Sequence, residues 1–112
     1  MKPQEVWTDL IEKKASSTAD LDLEGRAIPA GKVVRIETYY VIDATHADKT
    51  MKLGYVKAEK TITLKREPTA TSAYHVFLEE PLILVEGEKL KATVESATSG
   101  DECTLVAKGV FI

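Results

Sequence analysis

The chain has 112 residues, 44% hydrophobic and 29% charged, with a formal net charge of −3, enough for one domain with an ordinary core. The mild acidic balance argues against a nucleic-acid binder, whose phosphate contacts need a basic surface, and gives no pull toward anionic lipid. Cys103 is the one cysteine, which rules out an internal disulfide and a thiolate metal cluster.

The start, MKPQEVW, lacks the apolar run of a signal peptide, and no 18-residue apolar stretch follows, so synthesis and retention in a cytoplasm are expected. Val6, Trp7, Leu10 and Ile11 fall at i, i+1, i+4 and i+5, a helical stripe. Pro3 suits a first turn. Acidic residues lie toward the start and Lys13 and Lys14 toward the end, as the helix dipole favours. Residues 1–17 are therefore expected to form a helix or arm. So short a helix needs something to dock on: its own domain, or a partner subunit with Trp7 as anchor.

Residues 15–19, ASSTA, read as a linker. Residues 20–24 alternate, with Leu21 and Leu23 inward and Asp20, Asp22 and Glu24 outward. Such a carboxylate row can ligate calcium; the preferred reading is a solvated face. Residues 28–43, IPAGKVVRIETYYVID, open on a turn in which Gly31 takes the positive φ of type II. A long strand follows, eleven residues spanning about 36 Å, which should bend or serve two sheets. Strict alternation puts Val34, Ile36, Thr38, Tyr40 and Ile42 on one face and Tyr39 on the more polar one. Tyr39 is thus a candidate contact residue, against the preferred reading that it packs within the fold.

Residues 50–56 alternate around Gly54, which suggests a bulge or a close backbone approach. In residues 61–65 Ile62 and Leu64 are expected inward, and residues 66–73 form a loop. Tyr74, Val76 and Leu78 share a face opposite His75 and Phe77. Residues 79–81 interrupt the strand before the apolar run 82–85. Glu86–Gly87 is a turn. Leu90, Ala92, Val94 and Ser96 face inward, and TSGD (98–101) is a hairpin-type turn. The last strand buries either Cys103, Leu105 and Ala107 or Thr104, Val106, Lys108 and Val110, and a switch near Gly109 would bury both ends. About eight strands with turns every 8 to 14 residues or so indicate a sandwich or barrel. The unequal loops favour an all-β, two-sheet antiparallel sandwich of jelly-roll type over residues 18–112.

Reactive chemistry is sparse. His46 lies in the loop DATHAD (43–48), where an Asp–His–Asp set could hold a metal or act as an acid–base pair. No second region is obliged to join it, so a solvated turn is expected. His75 alternates with buried residues and is expected to be a hydrogen-bonded strand histidine. Ser96 and Ser99 lack a nucleophile elbow, and the six glycines stand singly, with no phosphate-cradling loop. No catalytic residue, metal or cofactor is expected, and the protein is expected not to be an enzyme.

The motifs IPAGKVVRI, PLILVEGEKLKATV and TSGD before a final strand ending in GVFI resemble small β-sandwich virion proteins of tailed bacteriophages. The resemblance covers about three quarters of the chain and rests on turn chemistry. It implies a virion structural protein assembled in a host cytoplasm, a capsid decoration (cement) subunit above all. Its expected partners are further copies of itself and a major capsid or other virion protein, with neither nucleic acid nor membrane. The residues expected to make contacts are Val6, Trp7, Leu10, Ile11 and Tyr39. The alternative function is a carbohydrate- or receptor-binding module.

Overall fold

A computed structural model describes residues 5–69 and 74–112. Pro3, expected in a helical first turn, and the end of the loop 66–73 lie outside these residues. The described residues form nine strands: β1 (Val6–Lys14), β2 (Leu21–Glu24), β3 (Val33–Asp43), β4 (Thr50–Lys57), β5 (Lys60–Pro68), β6 (His75–Leu78), β7 (Leu82–Val85), β8 (Lys89–Val94) and β9 (Glu102–Phe111). They make two antiparallel sheets, packed as a sandwich. One runs β1-β9-β3-β6, with β7 also on β3; the other runs β2-β8-β4-β5.

β6 and β7 lie along the same edge of β3, opposite Tyr39–Ile42 and Val33–Ile36 respectively. They act as one strand broken at residues 79–81. Eight rows result, and every connection except β4–β5 and the β6–β7 break passes from one sheet to the other. That alternation is the jelly-roll order. TSGD is accordingly no hairpin turn: it carries the chain from β8 to β9 in the opposite sheet. Its turn chemistry is as expected, with Asp101 N donating to Thr98 O at 2.9 Å and Gly100 at φ 94°. The β4–β5 hairpin holds Ala58 and Glu59 at φ 49° and 66°, the two positive values a type I′ turn requires.

No helix occurs among the described residues, and the expected helix of residues 1–17 is replaced by β1. All nine residues of β1 pair with β9, from Val6 opposite Val110 to Lys14 opposite Glu102. The strand alternates, with Trp7, Asp9 and Ile11 turned inward. A charged residue at the central inward position disguises the period of two and leaves a stripe that reads as helical. Asp9 is accommodated there because Arg26 Nε donates to its Oδ1 at 3.1 Å. Nine cross-strand pairings outweigh the marginal stability of a short helix, so residues 6–14 belong to the sandwich and are no separate arm.

The long strand bends, as expected, and stays within one sheet. Ile36 pairs with Gly109 and Thr38 with Lys108, leaving Glu37 as an extra residue. One extra residue moves every later side chain to the other face. Val34 and Ile36 are buried before the bulge, and Tyr39, Val41 and Asp43 after it. Gly109 permits the close approach: a Cβ there would lie 2.3 Å from the Arg35 carbonyl oxygen. The switch expected in β9 near Gly109 is therefore made by its neighbour β3, while β9 keeps one phase and buries Cys103, Leu105 and Ala107.

A second bulge lies in the facing sheet. Leu53 pairs with Lys65 and Gly54 with Thr63, so Leu64 is the extra residue. Leu64, expected inward, is exposed, and the inward phase passes to Lys65, whose ammonium reaches Glu67 and Glu79 at 3.3 Å. Ser96 likewise departs from its expected inward place: it is exposed in a turn at φ 47°. The core between the sheets is built on Leu23, Met51, Leu53, Leu84, Leu90 and Leu105, all fully buried.

Candidate interaction surface

The two outer faces of the sandwich differ in kind. On the four-stranded sheet, side chains of opposite charge pair across strands. Lys89 reaches Glu24 at 2.9 Å, Lys91 reaches Asp22 at 3.7 Å, and Arg66 reaches Glu95 at 2.7 Å. The Arg66 guanidinium holds the Glu95 carboxyl below its usual range. Asp20 accepts a hydrogen bond from Ser96 N at 2.8 Å, and Asp22 accepts one from Thr93 Oγ1 at 2.7 Å. The carboxylate row 20–24 is thus engaged with protein partners. Solvated, cross-strand charges of this kind suit a face that stays in water.

The outer face of the five-stranded sheet carries an apolar row across its width. The register aligns Leu10, Val106, Tyr40 and Phe77 in one row running over β1, β9, β3 and β6. A second row aligns Val6, Val110, Arg35 and Ile83. Leu10 and Val6 are 65% and 66% exposed, Ile83 55% and Phe77 45%. The rings of Tyr40 and Phe77 stand 5.0 Å apart, and His75 meets Phe77 edge-on at 4.5 Å. His75, expected to be a hydrogen-bonded strand histidine, is an exposed member of this ring cluster. The charges that interrupt the face include Lys108, between the two rows, and the Arg35–Glu37 pair at 2.8 Å. An exposed apolar row of this sort marks a contact site more often than scattered single apolar residues do.

The bulge at Glu37 decides which tyrosine is displayed. With strict alternation Tyr39 would face out and Tyr40 in; the extra residue reverses them. Tyr39, a candidate contact residue by sequence, is buried, and its hydroxyl donates to the Gly54 carbonyl of the opposite sheet at 2.8 Å. Burial pushes its phenol well above the ordinary range.

The amino-terminal candidates divide by face. Trp7 is buried with its edge on Phe111 at 5.9 Å, and the Arg26 guanidinium lies 4.3 Å from its ring centroid. Ile11 packs partly against the core. Trp7 and Ile11 therefore anchor β1 within the chain, while Val6 and Leu10 are presented outward. Val106, Val110, Tyr40, Phe77 and Ile83 were missed as surface residues. The signal that could have found them is the pairing of outward apolar positions on four strands that are distant in sequence.

No protein-family model and no curated protein matches the sequence. Among solved structures, the chain is similar to murine APRIL, with a TM-score of 0.44 and 9% identity over 89% of this chain and 98% of that one. It is also similar to dimeric latent PorU from Porphyromonas gingivalis, with a TM-score of 0.39 and 13% identity over 95% of this chain and 13% of PorU. The jelly-roll order rests on the chain's own strand pairing.

Proposed function

We propose that the protein is a non-enzymatic structural subunit that works by adhesion, associating with copies of itself through the outer face of the five-stranded sheet. The observation that carries this reading is the row Leu10, Val106, Tyr40 and Phe77, apolar from one edge of the sheet to the other. The contrast with the charged opposite face supports it, because the same chain keeps one face wet with cross-strand ion pairs. A standard interface buries about 800 Å² per partner. At roughly 25 cal/mol per Å², about 800 Å² of apolar area buried over both partners gives about 20 kcal/mol gross, much of it offset by the cost of fixing two bodies and their side chains. The setting we propose is a phage virion, with the protein as a capsid decoration subunit that also contacts the shell, in line with the turn motifs of residues 28–112.

Sedimentation velocity on the full chain tests the reading. Wild type is expected to associate at tens of micromolar, and the double variant L10K/F77K to sediment as a monomer with an unchanged melting temperature. A wild type that stays monomeric at about 300 µM contradicts it. A gene lying among metabolic enzymes rather than head-assembly genes would contradict the virion setting alone.

A second reading, a carbohydrate- or receptor-binding module, is favoured by one observation: Tyr40, Phe77 and His75 form a ring cluster on an open face. Binding on a glycan array that is lost in Phe77→Ala, with a monomeric wild type, would select it.

A further inference from the structure

The loop after β3 is joined by a carboxylate from far along the chain. Asp43, the last residue of β3, is fully buried, and its Oδ1 accepts hydrogen bonds from the backbone N–H of Thr45 and of His46, both at 3.0 Å. Asp101, also fully buried, comes from the turn ahead of β9. Its Oδ2 accepts from Thr98 N at 2.9 Å, and its Oδ1 contacts His46 Nδ1. One ligand atom from each of Asp43, His46 and Asp101 lies within 4.8 Å of the other two.

A separate observation concerns the other oxygen of Asp43. Oδ2 is buried and has no hydrogen-bond partner. A buried carboxylate oxygen without a donor, facing a second buried carboxylate, is costly unless a cation or a proton is shared between them. Cys103 stands directly across from Asp43 on the neighbouring strand.

We propose that Asp43, His46 and Asp101 bind one divalent transition-metal ion, with zinc the best match. Two carboxylate oxygens and an imidazole nitrogen are ordinary zinc ligands at about 2.0–2.2 Å, and around a tetrahedral ion such atoms stand roughly 3.4 Å apart. The imidazole disfavours calcium and magnesium, which prefer oxygen throughout. Half of the His46 side chain is exposed, leaving an entry path and room for a water as fourth ligand. The ion would tie the β3–β4 loop to the turn that launches β9, 55 residues further on. This site is independent of the sheet face proposed above.

The test titrates chelator-treated full-length protein with zinc chloride by calorimetry, and separately with cobalt(II) by visible absorption. Wild type and Glu59→Gln, a change in the exposed β4–β5 turn, are expected to take one ion per chain, to show a tetrahedral cobalt spectrum and to melt at higher temperature with metal. His46→Ala removes a half-exposed ring and should fold; it is expected to lose the spectrum and at least about tenfold in affinity. No zinc uptake by wild type at 100 µM overturns the proposal. So does equal loss in His46→Ala and Glu59→Gln, or calcium binding as tight as zinc.

Discussion

The hydroxyl of Tyr39 donates to the backbone carbonyl of Gly54 at 2.8 Å, joining the two sheets through the middle of the core. Each partner adjoins a bulge: Tyr39 follows Glu37, and Gly54 lies opposite the step around Leu64. Tyr39→Phe keeps the ring and leaves the buried Gly54 carbonyl without that donor. It is expected to cost about 1–2 kcal/mol in urea unfolding, while Tyr40→Phe, on the outer face, changes stability by less than about 0.5 kcal/mol.

The bulge at Glu37 sets the phase of the rest of β3. Deleting Glu37 would turn Tyr39, Val41 and Asp43 outward and drive Thr38, Tyr40 and Ile42 into the core. The deletion is expected to abolish cooperative unfolding, whereas Glu37→Ala keeps the extra residue and stays within about 0.5 kcal/mol of wild type. Circular dichroism melts distinguish the two. Gly109→Ala strikes the same contact from β9, since its Cβ would meet backbone at 2.3 Å, and is expected to lower the melting midpoint by many degrees.

Cys103 provides a probe of burial and of pH. Burial and the nearby Asp43 and Asp101 raise its thiol from 9.0 to about 12. Between those values the unfolded chain has released the proton and the folded chain still holds it. Its contribution to stability is therefore complete below about pH 9 and is lost as pH rises through that window. Tyr39 acts in the same direction. Cys103→Ala is expected to flatten the alkaline decline measured by urea midpoints from pH 8 to 11. In the native wild type a thiol-reactive disulfide reagent at pH 8 should label Cys103 only as fast as the chain opens.

β1 is an edge strand with its anchor indoors. Removing residues 1–14 would expose the β9 edge and the core face that Trp7 and Ile11 cover, so the truncated chain is expected to be insoluble or molten. A truncation that folds and merely loses association would instead indicate a detachable arm. Tryptophan emission reports the same point, because Trp7 is the sole tryptophan: a blue-shifted maximum that does not change on association is expected.

How much was legible in the sequence follows from where the determinants lie. Clean alternation in residues 21–24, 50–56 and 90–94, with turn glycines at 31, 87 and 100, carried the fold class because both signals are local. β1 was hidden by Asp9, an inward charge whose partner Arg26 lies 17 residues away. The faces of β3 and β5 were misassigned from Glu37 and from Leu64 onward, because a bulge is a property of two paired strands. The approach of Asp101 to His46 and the apolar rows of the outer face depend on strand order, which one-dimensional periodicity does not contain.

Hydroxyl-radical footprinting over a concentration series tests the adhesive face most directly. As the protein goes from about 1 µM to 300 µM, oxidation of Leu10, Tyr40, Phe77 and Ile83 is expected to fall together, while Leu64, exposed on β5 of the other sheet, keeps a constant rate. Unchanged oxidation of those four residues across the series, or protection confined to the charged face of the other sheet, would contradict the account.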